Sequence, residues 1–311
     1  MGNSDIIGDC ATLAALLEVS AYPKPGNVHR TRDFEGTMYE HFLGGSVSLG
    51  THMRKVAERS EVADKTRGDW SKLGLGSFIH NSVKGMLSWQ SGGNVHLGII
   101  LLFTPIAAAA GAVMRDGVCD LGELRRALNE IIYNGTPEDS VNIYKAIDLS
   151  MSRENLGDVS KMDVKNTSSI DMIREDALTP LDIFKLCQDR DTICREWVTN
   201  FKITFTEGHP HLTEQLENKA SINNGVLSTF INILSKHPDS LIQRKNGYKK
   251  AEEVRKKADG INREKDNVEK QRMIEALDKE LSEEKGKHNP GTTADLTAAS
   301  IFLLLLTGWR P

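Results

Sequence analysis

From Leu97 to Met114 the chain reads LGIILLFTPIAAAAGAVM, without a single charged residue. A run of that length either crosses a bilayer or is buried inside the protein, since both outcomes remove its apolar surface from water. Pro105 interrupts it and four consecutive alanines dilute its hydropathy, so it reads as a buried core helix over residues 94–112. The apolar IFLLLL of residues 301–306 is too short to span a membrane. A helix that is apolar on every side needs neighbours on every side.

The rest of the chain supplies them as helices. Ile6, Cys10, Leu13 and Leu17 form an amphipathic stripe over 5–19, and Tyr22-Pro23 stops it, because the residue before a proline is pushed out of the helical region. Thr136-Pro137-Glu138-Asp139 and Thr179-Pro180-Leu181-Asp182 each offer a threonine cap, a proline at the first helical position and a carboxylate at the third. Thr292-Thr293-Ala294-Asp295 offers cap and carboxylate without the proline. Asp120 precedes a stripe of Leu121, Leu124, Leu128 and Ile131.

Residues 251–287 are rich in Glu, Lys and Arg, with a thin seam of Val254, Ile261, Val268, Met273, Ile274, Leu277 and Leu281, which predicts two solvated helices packed by one edge. Residues 156–171 are polar and turn-forming and predict a long loop. Only FKITFT, residues 201–206, alternates, and six residues leave strand and helix both open. The expectation is an all-α fold, a single multi-helix domain over 1–311 with a charged helical segment at 251–287.

Lys and Arg number 39 against 43 Asp and Glu, a net charge of −4, which argues against a duplex nucleic acid partner but permits a local basic pocket. Cys10, Cys119, Cys187 and Cys194 lack the C-x-x-C spacing of a zinc site. Cys187 and Cys194 lie on one face if a helix carries both, and read as buried thiols in a reducing compartment. The first ten residues lack the basic and apolar regions of a signal peptide, which predicts a cytoplasmic protein.

Four polar stretches fit neither core nor ordinary surface. KPGNVHR, residues 24–30, fixes Lys24, Asn27, His29 and Arg30, with Asp33 beyond, on a loop stiffened by prolines. SGGNVHLG, residues 91–98, precedes the apolar helix; Gly92 and Gly93 allow close backbone approach, Asn94 can cap, and the helix start suits phosphate. HPDSLIQRKNG, residues 237–247, sets Asp239 before Arg244, Lys245 and Gly247, a pattern for magnesium and phosphate oxygens or for a capped helix. HNPGTTADL, residues 288–296, sets Asp295 near Asn289 and Gly291, as a metal ligand, a base, or the partner of Thr292 in a capping box.

Taken in order, PKPGNVHR at 23–30, GGNVHLG at 92–98, DSLIQRKNG at 239–247 and NPGTTADL at 289–296 resemble the motifs of the ATP-dependent triphosphoribosyl-dephospho-CoA synthases over nearly the whole chain. Members of that family join C1′ of the ATP ribose to the 2′-hydroxyl of dephospho-CoA, release adenine and retain the triphosphate. The resemblance therefore implies a transferase with ATP and dephospho-CoA as substrates, Mg2+ on the triphosphate, and a carboxylate that takes the acceptor proton. It implies Asp239 and Asp295 as metal ligands or base, and His29 or His96 as an aid to the departing adenine. Lys24, Arg244 and Lys245 would hold phosphates, with Gly26, Gly247, Asn289 and Gly291 in the same loops and Gly92-Gly93-Asn94 as a backbone cradle.

Val95-His96-Leu97 stands where the family has Thr-His-Lys, and Lys84 lies where better-known bacterial members are acidic, which marks a divergent branch. Pentosyl transfer to another cofactor precursor and a catalytically inactive nucleotide-binding helical protein stay open beside it. A homo-oligomer is compatible with each reading; membrane and nucleic acid partners are not expected.

Overall fold

Helices begin where the sequence supplies acceptors for their first free N–H groups. In the computed structural model, which describes residues 2–65, 69–151, 163–166, 168–283 and 286–311, the elements run as follows. They are α1 Asn3–Ser20, α2 Tyr39–Lys65, α3 Leu75–Ser88, α4 Leu97–Val113, α5 Leu121–Tyr133, α6 Pro137–Ser150, α7 Ser168–Glu175, α8 Pro180–Cys187, α9 Thr192–Val198, α10 His209–Glu217, α11 Ile222–Lys236, α12 Ser240–Asn246, α13 Tyr248–Arg263, α14 Asn267–Ser282 and α15 Gly291–Leu306. The fold is all-α, and the described residues contain isolated β-bridges but no strand. Both threonine–proline starts form full capping boxes, at α6 and α8, and Asp120 Oδ1 accepts the Glu123 N–H at 2.9 Å to open α5.

The apolar run is α4, and every one of its residues except Gly98 and Val113 is buried. It packs against α1, α2, α3, α5 and α15. Among the described residues no helix is long and apolar enough to cross a membrane. Pro105 lies inside α4 and has no N–H for the Leu101 carbonyl one turn earlier. That carbonyl is satisfied from outside, by the Trp197 indole N–H at 3.1 Å. The proline thus ties α9 to α4 instead of ending the helix. Close approach of α1 and α2 depends on glycine: a Cβ on Gly8 would sit 2.7 Å from the Gly50 carbonyl oxygen.

The charged segment forms α13 and α14, whose Val254, Ala258, Ile261, Ile274, Leu277 and Leu281 pack with α11 in a second apolar cluster. Val268, expected in that seam, is 80% exposed, because it sits at the first turn of α14 beyond the buried face.

One reading left open resolves as a helix, and two other expectations are corrected. Residues 204–208 of FKITFT and its continuation form a π-helical turn, held because the buried Glu196 carboxylate accepts the Ile203 and Thr204 N–H groups, both at 2.8 Å. Of the loop expected over 156–171, residues 156–162 and 167 lie outside the described residues, 163–166 include a turn, and 168–171 open α7. Cys187 and Cys194 are not thiols on one helix: the chain turns between α8 and α9, brings their Cα atoms to 6.0 Å, and the two form a disulfide. Cys10 and Cys119 are buried free thiols.

Candidate functional site

All four polar stretches contribute to the wall of one cavity of about 870 Å³. Each brings only part of itself, and the local hydrogen bonds decide which part.

After α1 the Lys24 side chain turns inward, where its ammonium pairs with the Glu18 carboxylate and donates to the Glu18 carbonyl at 2.9 Å. Both residues are buried and line the cavity, and burial raises the Glu18 pKa against the pull of Lys24. Gly26 adopts φ +68°, donates its N–H to Asp278 Oδ1 at 3.1 Å, and passes so close to α14 that a Cβ would lie 2.7 Å from Leu281 Cβ. Asp278 also pairs with Arg32 at 2.9 Å and approaches His29 Nε2 at 3.6 Å. His29 and Gly26 therefore belong to the clamp beneath the loop and do not line the cavity; Lys24 and Asn27 do. Asp33 accepts the Tyr39 N–H at 2.8 Å and Arg30 stacks 4.9 Å over Tyr22, so both serve the loop's own structure.

Before α4, Gly92, Gly93 and Asn94 face the cavity, with Gly93 at φ +76° and the Asn94 side chain accepting the Leu97 N–H at 3.0 Å. His96 points the other way. Its Nε2 lies 3.0 Å from both Ser46 Oγ and the Phe42 carbonyl, and burial lowers its pKa to about 4, leaving a neutral core imidazole. Leu97, at the family's cation position, lines the cavity, whereas Lys84 is exposed and lies outside it.

Asp239 is buried and fully used. One oxygen accepts the Leu241 and Ile242 N–H groups at 2.9 and 3.1 Å; the other accepts the Thr293 N–H and hydroxyl, both at 2.8 Å. With its acceptor positions engaged, it caps α12, joins that cap to the start of α15, and stays out of the cavity wall. Arg244 and Lys245 reach the wall; Gly247, at φ +82°, ends α12 behind them. Arg244 is held by Asp191 at 2.9 Å, while its buried Nε has no acceptor. Desolvation first, and then Arg244, lower the pKa of Lys245.

Asn289, Gly291 and Asp295 all line the cavity, and the Asn289 Oδ1 is buried without a donor. The capping box expected between Thr292 and Asp295 does not form: α15 begins two residues earlier than that box requires, at Gly291, and Asp239 satisfies its Thr293 N–H. Asp295 sits in the second turn, against Gly98 of α4, where a Cβ would collide with Asp295 Oδ2. Its pKa is raised well above the usual carboxylate range, first by burial and then by the Glu18, Asp239 and Asp191 carboxylates. The starts of α4 and α15 thus meet at the cavity, and their dipoles favour an anion there.

Glu18 and Asp191 were not singled out from the sequence. A glutamate inside the apolar LAALLEVSA of α1 is the signal for Glu18; Asp191, in a turn of ordinary composition, offers none. Another part of the wall was missed as well: it is built from α6, α8 and α9, is mostly apolar with Tyr144, Asp163 and Arg190 among its residues, and includes the Cys187–Cys194 bridge.

Residues 4–311 match the sequence model of the ATP:dephospho-CoA triphosphoribosyl transferases. Among solved structures the chain is similar to an Archaeoglobus fulgidus protein assigned as a triphosphoribosyl-dephospho-CoA synthase, at 26% identity and a TM-score of 0.66, over 88% of this chain and 100% of that one. No curated protein sequence matches the chain.

Proposed function

The chain belongs to the ATP:dephospho-CoA triphosphoribosyl transferase family, and from that premise we propose how this cavity moves the triphosphoribosyl group of ATP onto a ribose hydroxyl of dephospho-CoA. Asp295 is the observation that carries the reading. It is a cavity-lining carboxylate with no helix start to cap and a raised pKa. When ionised, a carboxylate so placed is a stronger proton acceptor than an ordinary one. It takes the hydroxyl proton of the acceptor as the new C1′–O bond forms. Adenine departs with the electron pair of the C1′–N bond and takes up a proton from water, and Asp295 later returns its own proton to solvent.

Positive charge developing on the ribose is favoured by the carboxylates of Glu18 and Asp191, which face the same space. Lys24, Arg244 and Lys245 hold the phosphates, helped by the backbone at Gly92-Gly93-Asn94 and the helix starts behind it. The donor-free Asn289 oxygen is an acceptor for a ribose hydroxyl or the adenine amine. His29 and His96 have no part in the reading, since neither lines the cavity. The cavity draws on residues from Glu18 to Asp295, so 1–311 acts as one functional unit, and ATP as substrate fits a cytoplasmic setting.

Magnesium fits the donor set. Among the described residues no group of three or more His, Cys, Asp or Glu could hold a metal. An ion held by one or two carboxylates and substrate phosphates needs no such group. Asp295 is crowded by other carboxylates and would gain from a cation. Asp191 and the substrate phosphates would hold the ion beside Asp295, where it would supply charge neutralisation to the triphosphate and leave Asp295 as the base.

The test is chromatography of the protein incubated with ATP, magnesium and dephospho-CoA. Adenine should appear in step with ATP loss, with no ADP or phosphate. Accumulation of ADP or phosphate would overturn the glycosyl transfer, and adenine release with a different acceptor alone would replace dephospho-CoA in the reading.

A further inference from the structure

The polar wall of the cavity accounts for a nucleotide and its phosphates; the α6 and α8 side, where Tyr144, Asp163 and Arg190 are set among apolar residues, is more than that chemistry needs. Ile143 and Ile147 of α6, Met151 just beyond it, and Phe184 and Leu186 of α8 present hydrocarbon to the space. Leu186 is 61% exposed, on a helix whose Leu181, Ile183 and Phe184 are buried. An exposed large apolar side chain at a cavity is a contact waiting for an apolar ligand group.

The two substrates of the proposed reaction pose a discrimination problem that this wall can solve. Dephospho-CoA is itself an adenosine diphosphate, extended by a pantetheine arm of methylenes, methyls and amides. Adenosine and phosphate contacts cannot distinguish it from ATP or ADP; only the arm can. Resting on the transfer reading above, we propose that the apolar wall of α6 and α8 is the subsite for the pantetheine arm. In it Ile147 and Leu186 set the preference of the acceptor position for an arm-bearing nucleotide over ADP.

The experiment compares dephospho-CoA with ADP, the same nucleotide without its arm. Calorimetric affinities and the KM values of both substrates are measured for the wild type, Leu186→Glu, Ile147→Asp and Leu186→Met. Leu186 is exposed and Ile147 only half-buried, so the acidic variants should fold; circular dichroism and thermal melting verify it. The wild type should bind dephospho-CoA at least about tenfold more tightly than ADP, the scale set by a few methylenes in an apolar pocket. Each acidic variant should lose most of that ratio and raise the KM for dephospho-CoA about tenfold, with the KM for ATP and the affinity for ADP unchanged. Leu186→Met should restore it.

Equal wild-type affinities for the two nucleotides, or variants that weaken both together, would overturn the proposal. Binding is read without turnover, so its failure is separable from that of the transfer reading. Absent adenine release with a persisting arm preference sinks only the reaction. Adenine release with no arm preference sinks only the subsite.

Discussion

Replacing Asp239 with alanine should destabilise the protein without removing a group that touches substrate. The carboxylate serves the starts of α12 and α15, through three backbone N–H groups and the Thr293 hydroxyl. Two lost helix caps cost about 0.5–2 kcal/mol each. Buried donors left without an acceptor cost about 1–3 kcal/mol each, though water reaching some of them reduces that sum. Removing a buried carboxylate also recovers its desolvation cost, which offsets several kcal/mol of the gross loss.

The net expectation is about 3–5 kcal/mol. With about 2.1 cal/mol/K of unfolding entropy per residue over 311 residues, each kcal/mol moves the midpoint by about 1.5 °C, so Tm should fall by about 5–8 °C.

Asp295→Asn is the counterpart. Burial raises its pKa, so the folded chain holds this proton to higher pH than the unfolded chain, whose carboxyl titrates near about 3.9. Its contribution to stability is present below that value and is lost as pH rises through the raised folded pKa. Asparagine abolishes the loss, so Tm at neutral pH should be unchanged or higher, while adenine release falls about 100-fold or more. Thermal unfolding, together with adenine release followed well below the lower Tm, gives the comparison. An Asp239→Ala protein that keeps its Tm but loses turnover would refute the capping role. An Asp295→Asn protein that melts early and turns over normally would refute the catalytic one.

Gly98→Ala drives a methyl into Asp295 Oδ2 and should cut turnover at least about tenfold with a modest loss of stability; normal kinetics would mean the carboxylate has another productive position. The His96 ring, with its pKa lowered to about 4, should show no NMR titration between pH 5.5 and 8, and its contribution to stability should fade from about pH 6.5 towards 4, as acid protonates the imidazole of the unfolded chain but not the folded one; a midpoint near 6.5 would place the ring in water. Alkylation of the denatured, unreduced protein should label Cys10 and Cys119 alone, and all four cysteines after reduction; four labels without reductant would remove the bridge.

How much of this the sequence showed depends on how local each interaction is. The α6 and α8 starts were readable because cap and partner lie within three residues. The α15 start was not, because its acceptor is Asp239, 54 residues earlier; the local Thr292–Asp295 pattern therefore pointed to a box that does not form. The Cys187–Cys194 pairing depends on a turn between two short helices that periodicity alone cannot place. The motif resemblance located all four cavity loops. It could not say which side chain of each faces inward: Gly26 and His29 rest on Asp278, and His96 on Ser46, through contacts that only the packed fold creates. The apolar wall left no motif, since Ile147 and Leu186 look in sequence like any amphipathic helix residue.

The Gly26–Asp278 hydrogen bond spans 252 positions of the chain. Closing so long a loop costs about 5 kcal/mol of chain entropy beyond a constant, and contacts of this separation form slowly. On a ribosome, the lysine loop emerges early, and although Lys24 can reach Glu18 of α1 at once, its clamp on Asp278 must wait until α14 follows it out. Nucleotide affinity is therefore a late property of the growing chain, acquired only when its two distant ends have met. Once acquired, each tenfold rise in free nucleotide above its Kd holds those ends together by about 1.4 kcal/mol more.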